Sequence, residues 1–195
     1  MLKNMKSLSL VLCAVAGVGF LSTLQADHHE DGHDHAAHMP THGVVLLKAT
    51  KGNKVRGRLS LVQTAAGVKV TGRVNGLTPG EHGFHIHELG DITAPDGTSA
   101  GGHFNPDGHD HGSPGDDKHH AGDLGNITAD DEGVAKVDIL QKGLKLHFVI
   151  GRSIVVHAGK DDLKSQPSGD AGPRVAVGVI GIGAKKMPAK KKKDQ

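Results

Sequence analysis

Apolar and polar residues alternate with a period of two through much of the chain beyond residue 43. Val55, Leu59 and Leu61 interleave with Arg56, Arg58 and Ser60, and Val68, Val70 and Val74 with Lys69, Thr71 and Arg73. Successive strand side chains point to opposite faces, so this pattern predicts half-buried strands with one face in a core. Further strands are predicted at 44–47, 134–140, 146–150, 153–157 and 175–182, and at 82–88, where Phe84 and Ile86 alternate with His85 and His87. Asn75-Gly76-Leu77-Thr78-Pro79-Gly80 reads as a turn. Two long stretches rich in Gly, Asp and Pro, at about 89–132 and 158–173, predict functional loops. The sum is an all-β fold of about eight strands with no clear helix. That is an eight-stranded antiparallel Greek-key barrel or sandwich with two long functional loops.

The flanks break the alternation. Met1 to Lys6 is basic, Leu8 to about Leu21 is apolar, and small Ala26 precedes a polar segment. This order predicts a secretory signal peptide over 1–26. The apolar run is short for a bilayer core of about 30 Å, so no stable membrane insertion is expected after cleavage. A periplasmic or secreted location follows. Residues 27–42 hold six of the sixteen histidines, His28, His29, His33, His35, His38 and His42, with almost no apolar content. Such a segment cannot offset its ordering entropy by burial and is expected to be disordered. Its histidines, set among Asp and Glu, are candidates for loose metal capture. The Lys-rich stretch 185–195 reads as a solvated tail, which leaves 43–184 as the domain.

Composition changes the picture in two places. The net charge of +2 on 195 residues is small and unevenly placed, so it says little about partners; no nucleic-acid partner is expected. Cys13 is the only cysteine and lies in the leader, so the mature chain has none. An exported chain of this kind cannot make an intrachain disulfide and must rely on core packing and metal.

Histidine placement carries the chemistry. His85 and His87 share one face of the strand at 82–88, opposite Phe84 and Ile86. His157 ends a strand whose Ile154 and Val156 are expected to pack inward. His103, His111, His120 and Asp123 lie on the first long loop. Three histidines and a carboxylate suit tetrahedral zinc, and an all-imidazole set suits tetragonal copper. A redox ion beside a structural one points to electron transfer on a small molecule. His109 and His119 compete with His111 and His120 on spacing alone, and composition does not choose between them. His82 and His147 read as ordinary hydrogen-bonded histidines.

Four ordered motifs extend this reading. Gly83-Phe84-His85-Ile86-His87-Glu88, Gly102-His103-Phe104-Asn105-Pro106, His120-Ala121-Gly122-Asp123-Leu124-Gly125-Asn126 and Gly178-Val179-Ile180-Gly181-Ile182 resemble copper,zinc superoxide dismutase, over about 43–184. The resemblance implies copper on His85, His87, His103 and His157, and zinc on His103, His111, His120 and Asp123. His103 would then bridge the two ions. It implies that Asp161 holds the far nitrogens of His85 and His111, and that Arg174 lines the channel to copper. The implied reaction is dismutation of superoxide to O2 and hydrogen peroxide by alternating reduction and oxidation of copper. A homodimer is expected, with its interface open.

The chain departs from that family at the usual disulfide, whose two positions read Gly97 and Val177. The second loop is short, and Lys160 and Lys164 are its candidate steering charges. The competing reading is a copper- and zinc-binding carrier or storage protein on the same scaffold. The His-rich extension favours it; the full ligand set with Arg174 favours the enzyme.

Overall fold

A computed structural model describes residues 39–185. The expected signal peptide, His28, His29, His33, His35, His38 and all but the first residue of the basic tail lie outside the described residues.

Alternation becomes a closed wall. Strand β1 (His42–Ala49) pairs with β2 (Arg56–Gln63), which pairs with β3 (Gly67–Asn75). From β3 the sheet jumps to β6 (Val134–Lys142), then to β5 (Asp123–Ala129) and β4 (Gly80–His87). A second jump leads from β4 to β7 (Ser153–His157), and β8 (Arg174–Val179) returns to β1. All these pairings are antiparallel, and the two jumps are the Greek-key crossovers. The two-residue β9 (Gly181–Ile182) continues beyond β8 along β1. Closure leaves the eight-stranded barrel without a free edge. His42 opens β1 opposite Val62, so one histidine of the polar extension belongs to the barrel wall.

The predicted inward faces meet in a single main core. Leu59, Leu61, Val68, Val70 and Val74 are buried there with Phe84, Ile86, Ile154 and Val156. Two predicted elements differ. Residues 146–150 are not a strand: Leu146–Val149 forms the one-turn helix α1. Leu146 and Val149 are buried, which is helical spacing, and Gln63 Oε1 accepts the Leu146 N–H at 2.7 Å. A five-residue apolar run cannot separate these alternatives by pattern alone. Conversely, β5 occupies the end of the first predicted loop. Gly125, with φ 74°, and the buried Asp123 at its start break the alternation that would have revealed it.

Candidate metal centre

Strand geometry places the first two histidines. On β4, Phe84 and Ile86 face the core while His85 and His87 turn to the opposite side, where both are again buried. A bulge in the β4–β5 pairing shifts the register between Gly83 and His85, and sets Asp123 opposite His85. A second irregularity, between β7 and β8, sets His157 opposite Arg174.

The loop from 88 to 122 is stitched back onto β4. His87 and His103 form an isolated antiparallel bridge. The Phe104 N–H donates to the Ile86 carbonyl at 2.8 Å, the Ile86 N–H to Gly122 at 2.8 Å, and the Gly122 N–H to Phe104 at 2.9 Å. The loop therefore runs along the β5-side edge of β4, hydrogen-bonded to the residue between the two histidines. Gly122 is needed for that approach, because a Cβ there would collide with the Ile86 carbonyl oxygen.

Two buried groups result. His85, His87, His103 and His157 form one, and His103, His111, His120 and Asp123 the other. His103 belongs to both. In the first group His85 Nδ1, His87 Nε2, His103 Nε2 and His157 Nε2 are buried without a hydrogen-bond partner. Four orphaned buried nitrogens would be costly in a finished structure and call for a common partner. The opposite ring nitrogens are satisfied. His87 Nδ1 donates to the Gly101 carbonyl at 2.8 Å and His157 Nδ1 to Gly172 at 2.9 Å. His85 Nε2 donates to Asp161 Oδ2 at 2.7 Å. A carbonyl or carboxylate can only accept, so each of these three rings presents a lone pair inward. That is the form in which imidazole binds a metal, and the donor set fits a cation of the copper or zinc kind.

The second group converges on one oxygen. Asp123 Oδ1 lies 2.8 Å from His103 Nδ1, 3.0 Å from His111 Nδ1 and 3.3 Å from His120 Nδ1. Asp123 Oδ2 accepts the His120 and Gly112 N–H groups at 2.9 and 3.2 Å, which fixes the carboxylate. Three imidazoles and one carboxylate match a closed zinc set. Asp161 joins the two groups, because its Oδ1 accepts from His111 Nε2 at 2.9 Å while Oδ2 holds His85. Outer partners of this kind orient metal-binding rings.

Burial dominates the electrostatics. It pushes His85 down to about 4, His87 to about 2 and His157 to about 3, so all three rings are neutral at pH 7. It also lowers His120. Burial acts the same way on His111, but hydrogen bonds to Asp123 and Asp161 outweigh it and push that ring up to about 9. Asp123 and Asp161, which burial alone would raise, are held well below the usual carboxylate range by bonds from His103, His111 and His85.

Arg174 stands beside the first group. Its Nη1 donates to the Gly97 carbonyl, and its Nη2 to Gly101 at 2.6 Å. The Gly101 oxygen is the same one that holds His87. Gly97, at one of the positions where the resemblance would put a disulfide, thus holds Arg174 through its main-chain carbonyl. Val177, at the other, packs with Ala100 and Val155 in a small apolar cluster. Lys160 forms a 2.6 Å ion pair with Glu81, which reduces the steering charge expected of it.

The geometry also shows residues that sequence reasoning passed over. His82, read as an ordinary histidine, is buried and bonds through Nδ1 to the His157 carbonyl at 2.8 Å and through Nε2 to Thr78 at 2.8 Å. It ties β4 to the last histidine of the first group. Asn126 Oδ1 accepts the Asp161 N–H at 2.8 Å, and its Nδ2 donates to the Asp161 carbonyl at 2.9 Å. The His120-to-Asn126 motif contains Asn126 but gives no hint of that contact. His109 and His119, the rival candidates, turn their Nδ1 atoms to the main-chain carbonyls of His119 and His120 and belong to neither group.

Known proteins share this arrangement of sequence and fold. A family model for copper/zinc superoxide dismutase (SODC) matches residues 55–180. "Superoxide dismutase [Cu-Zn] 2" of Mesembryanthemum crystallinum is 49% identical over 142 residues, which cover 68% of this chain and 90% of that protein. The solved structure of the clock protein EA4 superimposes with a TM-score of 0.67 at 40% identity, over 74% of this chain and 96% of that one.

Proposed function

The chain belongs to the copper/zinc superoxide dismutase family, and we propose that it dismutes superoxide through a copper site and a zinc site that share His103. The four inward nitrogens without partners carry this reading. His85, His87, His103 and His157 would hold copper, and His103, His111, His120 and Asp123 would hold zinc. Copper, held there, would supply a one-electron couple suited to alternate reduction and oxidation by superoxide, and zinc would supply a fixed charge.

The protein's own groups do the rest. His103 turns Nε2 to one group and Nδ1 to the other, so it can stand between two cations as an imidazolate. Nε2 could then take up one proton and later give it to the product, with the second proton of the hydrogen peroxide coming from water. Asp161 holds the rings of His85 and His111 in one orientation through that cycle. Arg174, clamped by two carbonyls, presents a fixed guanidinium beside the first group and would attract and orient a small anion.

The test is dismutation by the purified full chain loaded with copper and zinc. Rapid turnover that His157→Ala abolishes supports the reading; a fully loaded but inactive wild type would favour the carrier. Two further proposals accompany it. Export rests on the basic-then-apolar first 26 residues, and cell fractionation checks it. A homodimer rests on the family resemblance, and sedimentation of the purified protein checks it.

A further inference from the structure

The hydrogen bond between Asp161 and His111 is gripped from both sides. Asn126 holds the main chain of Asp161 through a donor and an acceptor. The counterpart on the His111 side is Gln166. Its Oε1 accepts the His111 N–H at 2.8 Å, and its Nε2 donates to the His111 carbonyl at 2.9 Å and to the Lys164 carbonyl at 3.2 Å. A side-chain amide can meet both groups of a main chain in this way, whereas a carboxylate has no hydrogen to donate.

A second observation places the same turn over the metal set. Gly169 is buried, with φ +71°, and a Cβ there would collide with Asp161 Oδ1 and lie 2.6 Å from His111 Nε2. Its backbone therefore rests directly against the Asp161–His111 hydrogen bond, where only glycine fits. The turn is closed on itself. The Asp162 N–H donates to the Gly169 carbonyl at 2.9 Å and the Gly169 N–H to Ser165 at 2.7 Å, so Gln166 and Gly169 move together.

His103, His111 and His120 all lie outside the strands, but His103 is bridged to His87 on β4. Asp123 begins β5, and the His120 main chain is tied to Asp123, whereas the main chain of His111 is held by a turn fifty-five positions away. A ligand on the least anchored segment is the first that a local opening would release.

We propose that the 161–169 turn is a latch on the second metal group, in which Gln166 and Gly169 are positioning residues that govern how long the ion stays. Gln166 fixes the height of His111, and Gly169 covers the bond that orients its ring. The proposal rests on His111 being a ligand of that ion. It is tested with the full chain carrying cobalt(II) in the second group, whose visible absorption reports the ligand geometry. The release rate is followed as a chelator removes the metal. Gln166→Met and Gly169→Ala should each release cobalt about tenfold faster than wild type, the lower end of what outer-partner changes commonly cost. Gln166→Glu, which keeps only the acceptor, should fall between. The melting temperature of the metal-free chain should not change for Gln166→Met. Release at the wild-type rate would overturn the latch, as would faster release matched by an equal loss of metal-free stability. His120→Ala separates the two levels. If it leaves the cobalt spectrum unaltered, the ion is not held by this group, and both the site reading and the latch fall. If it abolishes the spectrum while Gln166→Met changes nothing, the latch alone fails.

Discussion

Three rings of the first group are fixed from behind and turn a lone pair inward. His87 leans on a main-chain oxygen, His157 on another, and His85 on Asp161. Asp161 is the most exposed to challenge, since one carboxylate serves two rings. Asp161→Asn keeps one acceptor but turns an NH2 toward the other ring, so one of the two contacts becomes donor against donor. Metal affinity should fall by about 10–100-fold, as read by competition with a chelator. Arg174 is a different case, because it holds no ring. Arg174→Ala should lower kcat/KM by at least about tenfold and flatten its dependence on ionic strength, with copper content unchanged. Stopped-flow measurement over a salt series checks both halves.

At the scale of elements, the site depends on one loop pairing along the edge of β4. Two main-chain hydrogen bonds to Ile86, a third within the loop, and the absence of a side chain at Gly122 permit that approach. Gly122→Ala should therefore destabilise the protein by on the order of 1–3 kcal/mol and reduce metal loading together, as denaturant unfolding and metal analysis would show. Strands of this fold were legible wherever one face met the core, as in β2 and β3. The pattern failed where a strand does two jobs. In β5, Asp123 is buried for the site, and Gly125 bends the strand, so the alternation is lost. It failed again at α1, where a short apolar run suits either a strand or a helical turn. The histidine groups were legible because strand spacing and ordered motifs locate them. The contacts of His82, Asn126 and Gln166 were not, because each joins positions tens of residues apart and leaves no local pattern.

Across the whole molecule, stability has few sources besides the core. One cysteine excludes an intrachain disulfide, and the small apolar contact among Ala100, Val155 and Val177 stands in its region. Two buried groups of polar side chains come together only in the folded state, and an ion that binds only that state stabilises it. At roughly a thousand times Kd that contribution is about 4 kcal/mol per site. A chelator should thus lower the melting temperature markedly, while a thiol reductant should leave it unchanged. Scanning calorimetry of loaded and stripped protein, with and without reductant, checks both. Nearly equal melting temperatures for loaded and stripped forms would refute it.

On the proposed reading, the Gly101 oxygen that accepts from both His87 and Arg174 would couple electron transfer to anion recognition. If the segment carrying Gly101 drifts, the coordinating ring and the guanidinium shift in step, and their mutual aim survives until both are lost. Damage to this stretch should therefore appear as a population of molecules that work fully or not at all, with little sign of an enzyme whose substrate preference has slackened.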